Sequence, residues 1–498
     1  MLAQIAGDLQ HILDEARTPC ETLSGNIDQL VAAFLTQPVT PETTMQFETA
    51  LQECLREAGR GIVEVVYNHL EADGSDEMPR RLEFDGHAYS RKNDKTNNRG
   101  GVGTLFGKIA LSRFSYEPLT EARDEQRKSF SPLELSLGVV AGKATPALAE
   151  RVGREASCHT QQELLQRLRR EHDVHWSVEV LRKVTAAVSR GVAEYLHAAQ
   201  KEQLLSWLRA ADGSGGRRRI TLAVGRDGIM LPIRGENTYK EGAVATLTVY
   251  DRRGRRIGTV YLGRMPEAYQ TTLSEQLTRL VREVLGEWQG TWPRLVYVTD
   301  AGWHPTEYYD NVLSTLVHPR HPGRPMEWVR IVDFYHACEY ITKLAQILFD
   351  NPRAGHAWSR KMRKWLKHKP NGVFRVLHSA AKYRHDYVLT KKEEEVYRSA
   401  YGYLKNHRAW MDYAEYRRRG FPIGSGVTEA GCKTVFTQRF KESGMSWSLE
   451  GGGVILTLRV AKLSGVWEAV FGAYLSHRPS ATLPTNSVST DNTYAKAA

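Results

Sequence analysis

Three carboxylates stand where a metal-dependent chemistry would need them. Asp227 lies in the strand-like run Ile220 to Gly228, and Asp300 ends a second apolar strand that starts at Leu295. Glu429 opens a helix in Gly424-Ser425-Gly426-Val427-Thr428-Glu429. Two strand carboxylates and one helix carboxylate can hold two divalent cations, the arrangement that serves phosphoryl transfer. A carboxylate inside a sheet is costly to desolvate unless it is paired or bound to metal.

Each acid also has a plainer use. Asp227-Gly228 is a common turn dipeptide, and Asp300 before Ala301-Gly302 suits a strand-ending turn or an N-cap. Glu429 stands four residues before Lys433, the spacing of a helix-surface ion pair. On a helical wheel with Cys432 at zero, Glu429 instead falls at about +60°, between Phe436 and Phe440 on the apolar stripe. Asp333 and His336 form a further polar pair after a buried strand, at the i, i+3 spacing of a first helical turn. His336 can donate to a phosphate or orient a carboxylate. The alternative is a capping Asp and a satisfied His, and the neighbourhood does not supply the further ligands of a zinc site.

Stepping outward, the 498 residues allow more than one domain, with the apolar and charged shares of an ordinary globular protein. The net charge of +11 favours a polyanionic partner. Between Arg353 and Gly420, eighteen Lys or Arg face six Asp or Glu, so this segment holds the whole excess. It also carries eleven aromatics, including Trp358, Trp365 and Trp410. Rings among basic side chains suit phosphate contact and base stacking, with a helical subdomain of aromatic core and basic surface as the alternative. Lys361, Arg363, Lys364 and Lys367 are its candidate DNA contacts, joined by Lys433 and Arg439 near Glu429. The five cysteines are scattered and form no Cys-x-x-Cys pair, against a zinc ribbon or disulfide framework. No signal peptide and no membrane-length apolar run is evident, so a cytoplasmic protein without membrane partners is expected.

Residues 1–75 read as helices, with Thr40-Pro41-Glu42 as a helix start. A small β element is expected at 76–125, with 91–101 as a loop or hairpin tip. Residues 126–210 return to helix. Thr145-Pro146 and the capping box Thr160 to Glu163 open two short helices, and a longer one follows from 178. The three could form a helix-turn-helix with Leu148, Val152, Leu164, Leu168, Val180, Leu181 and Val184 as its core. Ala211 to Gly216 reads as a flexible linker. Beyond it, strands at 218–227, 229–234 and 242–250 (with 256–263) precede helix 272–289, strand 294–300, helix 305–317 and strand 327–333. This β-β-β-α-β-α-β order is that of a ribonuclease-H-like α/β fold. Residues 217–337 would be its first part, 338–420 an all-α basic insertion, and 421–478 its last part with a helix at 427–441. The tail 479–498 is expected to be disordered.

The motifs together resemble bacterial insertion-sequence DDE transposases. The resemblance rests on Asp227-Gly228, Val298-Thr299-Asp300-Ala301-Gly302, Asp333-Phe334-Tyr335-His336, and Gly424 to Glu429 followed by Lys433 and Ser443-Gly444-Met445-Ser446-Trp447-Ser448. It covers roughly 218–468 and is nearest to the group with a helical insertion and an Asp-x-x-His motif, akin to Mutator-type elements. It implies that Asp227, Asp300 and Glu429 hold two Mg²⁺ or Mn²⁺ ions, with Asp333 and His336 as the accessory motif. It further implies cleavage at transposon ends, transfer of the freed 3′-OH into target DNA, terminal inverted repeats as ligand, a nucleoid location and a dimer or higher homo-oligomer. The one departure singled out is Arg226, whose charge beside Asp227 would bind DNA or weaken metal affinity. Two rivals remain: a ribonuclease-H-like endonuclease or exonuclease without strand transfer, and a non-catalytic DNA-binding protein derived from a transposase.

Overall fold

A computed structural model describes residues 2–71, 78–98, 100–119, 129–386, 388–442, 444–478 and 495–496. The chain divides into two units, residues 1–192 with 471–498, and residues 193–470. Apart from 495–496, the tail beyond Pro479 lies outside the described residues.

In the first unit α1 (Leu2–Leu35) packs against α2 (Pro41–Asn68), which opens with a capping box between Thr40 and Thr43. Short strands follow: β1 (Arg81–Phe84), β2 (His87–Arg91), β3 (Thr96–Asn97), β4 (Val102–Thr104), β5 (Gly107–Ile109), β6 (Ser112–Arg113) and β7 (Tyr116–Pro118). The stretch 91–101, expected as a loop, carries β3 paired with β6. Then come α3 (Pro132–Ser136), α4 (Pro146–Ala156), α5 (Gln161–His172) and α6 (Val178–Asp212), whose residues from Ala193 on belong to the second unit. The Thr160–Glu163 capping box forms as expected. Leu148, Val152, Leu164, Leu168, Leu181 and Val184 are buried, whereas Val180 is only half-buried.

The expected linker at 211–216 is not where the chain divides. Ala211 is buried in the core of the second unit, Arg252 pairs with Asp212 at 2.6 Å, and the Arg252 amide donates to the Ser214 hydroxyl. These bonds pin a segment whose glycine and serine content suggests freedom.

The second unit is built on β8 (Thr221–Leu231), β9 (Lys240–Tyr250), β10 (Arg256–Arg264), β11 (Arg294–Thr299) and β12 (Trp328–Val332), in the sheet order β10-β9-β8-β11-β12. The first three strands are antiparallel, while β8, β11 and β12 run parallel. Two strands were expected where β8 is one. It pairs with β9 through Asp227 and Gly228, so this dipeptide makes no turn. Alternation sorts the side chains between two faces. Leu222, Val224, Leu295 and Tyr297 join α7 (Thr271–Glu287) and α8 (Trp303–Asn311) in one core. Ala223, Val296, Val298 and Ile331 face the other core, with α9 (Phe334–Leu348).

The same core takes in α10 (Pro352–His368), α11 (Gly372–Asp386), α12 (Lys391–Asn406) and α13 (Tyr413–Arg419). Trp358, Tyr413 and Tyr416 are buried there, and Trp365, Tyr383, Tyr397, Tyr401, Tyr403 and Trp410 pack against it. These rings are therefore core, and the base-stacking reading of them is corrected. Their apolar area drives the helices onto the sheet. The chain returns through α14 (Gly426–Gly431), a π-helical turn (Cys432–Thr437), α15 (Gln438–Phe440), α16 (Leu449–Leu463) and α17 (Trp467–Ser476). A last strand, β13 (Ala495–Lys496), pairs with β1. No helix among the described residues is long and apolar enough to cross a membrane.

Candidate active site

Asp227 sits on the face of β8 that carries Ala223 and Gly225, and α14 closes over that face. Gly225 is what lets it close: a Cβ there would collide with the Thr428 hydroxyl, which bonds Thr246 at 2.8 Å. Thr428 is the neighbour of Glu429, so the missing side chain at 225 brings the third acid toward the first. Asp300 follows β11 by one residue, with the parity of Val296 and Val298, and so belongs to the same face.

The hydrogen bonds of the three acids come from neutral donors. Asp227 accepts from the Gly228 amide (2.8 Å) and from the Cys432 thiol (3.3 Å). Asp300 accepts from the Gly302 amide at 2.9 Å, across Ala301 at φ +62°. Its turn-forming alternative is thus realised without taking its second oxygen. Glu429 accepts from the Ser425 hydroxyl at 2.6 Å. Burial pushes the Asp227 carboxyl up to about 6, helped by the charges of Asp300 and Glu429. Burial and the adjoining Asp227 also raise the Cys432 thiol, which stays a neutral donor.

Glu429 satisfies neither sequence expectation. It is exposed rather than inward, and among the described residues it has no ion pair with Lys433. The wheel fails because the chain beyond Glu429 enters a π turn at 432–437, which contains the buried Phe436 and precedes the buried Phe440. Each wider turn slips the helical phase by about one residue, roughly 100°. Arg226 is also corrected. It points to the opposite face, 2% exposed, where it donates to Ser274 and Gln270 and lies over the Tyr308 ring. It reaches neither DNA nor the acids.

Asp333 caps α9, accepting from the His336 amide at 2.7 Å, and is 0% exposed. His336 is half-buried, 3.3 Å from Glu339, and packs edge-on against Tyr340 and Tyr403. Of the basic candidates, Lys361, Arg363, Lys364 and Lys433 are exposed. Lys367 is half-buried over the Phe334 ring, and Arg439 is buried over the Trp447 ring, which makes it a packing residue.

Four residues at the site carried no functional assignment in the sequence. Cys432 bonds Asp227, and Ser425 links Asp333 to Glu429. The Tyr403 hydroxyl donates to the Asp300 carbonyl at 2.6 Å, and the Tyr413 hydroxyl to the Val332 carbonyl at 2.9 Å. Ser425 had a signal in its place within Gly-Ser-Gly before Glu429; the two tyrosines, far along the chain, had none.

An all-carboxylate oxygen set suits a hard divalent cation. Among the described residues no ion pair neutralises Asp227, Asp300 or Glu429, and the charges of Asp300 and Glu429 add to the rise that burial imposes on Asp227. As the side chains stand, no three His, Cys, Asp or Glu among the described residues are close enough to share one ion. Glu429 is exposed and held by a single side-chain hydrogen bond, from the Ser425 hydroxyl. Compared with protein-family models and with curated proteins, the chain gives no match.

Proposed function

We propose that this protein is a DDE-type transposase with a ribonuclease-H-like catalytic core, cutting DNA at transposon ends and joining the freed end to target DNA. The observation that carries the reading is a set of three acids, Asp227 and Asp300 on one face of a mixed sheet and Glu429 on the helix that closes over it, with no basic partner among the described residues. A cation is the missing counter-charge. Asp227, Asp300 and Glu429 would hold Mg²⁺ or Mn²⁺, which when bound activates a water or 3′-OH and stabilises the leaving 3′-oxygen.

The chain's own residues supply the rest. The Gly228 amide and the Cys432 thiol orient Asp227, and the Gly302 amide orients Asp300. Trp303 and Tyr335 stand 62% and 60% exposed just after Asp300 and Asp333, as rings free to stack on unpaired bases. Lys361, Arg363, Lys364 and Lys433 offer charge to the DNA backbone. The helices α4, α5 and α6 are the candidate reader of the terminal repeat, and paired ends call for at least two copies of the chain.

The deciding experiment incubates the protein and Mn²⁺ with labelled transposon-end DNA and a target plasmid. Nicked ends and joined products are expected, both lost in Asp300→Asn while DNA binding persists. Cleavage without joined products would favour a nuclease, and full cleavage by Asp300→Asn would sink the proposal.

A further inference from the structure

Asp333 is a fully buried carboxylate that forms no ion pair among the described residues. Its acceptors are taken up by three neutral donors. The His336 amide reaches Oδ1 at 2.7 Å, and the Ser425 amide and hydroxyl both reach Oδ2, the hydroxyl at 2.6 Å. The Ser425 Oγ also stands 2.6 Å from Glu429 Oε1. A hydroxyl has one proton, so it donates to one carboxylate at a time and couples the two. The rest of the junction is tied as firmly. The Asp333 amide donates to the Thr299 carbonyl, and the Phe334 amide to the Ile423 carbonyl.

We infer that Asp333 and Ser425 are positioning residues for Glu429: Asp333 fixes Ser425 through its backbone amide, and the Ser425 hydroxyl is thereby placed to hold one carboxylate oxygen of Glu429 so that the other is presented to a divalent cation. This rests on the reading of Asp227, Asp300 and Glu429 as the metal site. Asp333 itself stays outside the ligand set, because both its oxygens already accept hydrogen bonds within a buried junction. The assignment makes the first residue of the Asp-x-x-His motif part of the machinery of the third acid, 96 positions further on. Gly424 fits the same picture, since a Cβ there would come within 2.9 Å of the Tyr335 ring and force the loop off Asp333.

The test needs no DNA. The full-length protein, stripped of metal, is titrated with MnCl₂ while free Mn²⁺ is followed by electron paramagnetic resonance. Wild type should bind Mn²⁺, and Asp300→Asn should lose that binding. Ser425→Ala, a small change that keeps the backbone bond to Asp333, should weaken affinity about tenfold or more, the usual effect of removing a residue that orients a ligand. Asp333→Asn should do the same, and the double variant should be no weaker than the weaker single, because the two act in series. Thermal melts in chelator separate this from lost folding: Ser425→Ala should melt near wild type. Unchanged Mn²⁺ affinity in Ser425→Ala, or additive losses in the double variant, would overturn the inference while leaving the metal site intact. Wild-type binding that Asp300→Asn does not reduce would instead remove the metal site itself, and the inference with it.

Discussion

Glu71 in the first unit and Asp227 in the second are both carboxylates raised chiefly by burial, Glu71 to about 7 and Asp227 to about 6. Their neighbours differ in sign. Around Glu71, the Phe114 amide (2.7 Å from Oε2) and the charges of Lys95 and Arg113 oppose the rise, with Glu134 alone adding to it. Around Asp227 the charged neighbours are Asp300 and Glu429, and both add to the rise. Desolvation alone therefore does not distinguish a functional acid from a structural one. The sign of the surrounding field does: Glu71 sits in a place that already has cations, whereas the charges that act most on Asp227 among the described residues are both negative.

The sharpest way to break this contrast is to remove an acid from the second place. Glu429→Gln should reduce DNA cleavage below detection with binding retained, whereas Glu71→Gln should leave cleavage per folded molecule unchanged. In stability the two acids should behave alike, since both are raised. Below pH 3.8 Asp227 is protonated whether folded or not, and its effect is nil. Between 3.8 and about 6 only the unfolded chain ionises, and above about 6 the full penalty is present. Asp227→Asn should therefore stabilise the metal-free protein at pH 8, by on the order of 3 kcal/mol, and make no difference at pH 3.5. Equilibrium denaturation in chelator measures it.

Glu71→Gln should behave likewise in a shifted window, neutral below pH 4.5 and stabilising above about 7, since its folded value is the raised one. Mn²⁺ then separates the pair: it should raise the melting temperature of wild type and of Glu71→Gln, and leave Asp227→Asn unmoved. The smallest expected stability effect is that of Gly225→Ala. Its methyl must displace Thr428, an overpacking of about 1–3 kcal/mol, yet cleavage should fall steeply because Glu429 moves with it. A melting curve and a cleavage assay on one preparation show both.

Much of this was legible in the chain because it is local. The apolar alternation of Leu295 to Thr299 marks β11, the Thr160 and Thr40 caps mark their helices, and Asp333 reads as a cap because an N-cap is a short-range event. Other features were hidden by longer-range causes. Asp227-Gly228 signals a turn, but pairing with β9 on one side and β11 near its start overrides the dipeptide. The facing of Glu429 depends on a π turn that a 3.6-residue period does not contain. Basic and aromatic residues alternate in 353–420 whether the rings face DNA or a core; only packing against Val298 and Ile331 decides it. Arg226 beside Asp227 looks like a charge partner, and strand pleat sends it to the opposite face.

The two phenols, Tyr403 and Tyr413, have a practical meaning. Each is anchored in the helices between β12 and α14 and closes on a main-chain carbonyl at the end of a strand, Asp300 just past β11 and Val332 on β12. An engineer who shortened the chain by excising 338–420 would strip those carbonyls of these donors and uncover the apolar back of the sheet. The helical segment is thus a keystone rather than an accessory, and a shorter version of this protein would have to replace it with another lid of equal grip.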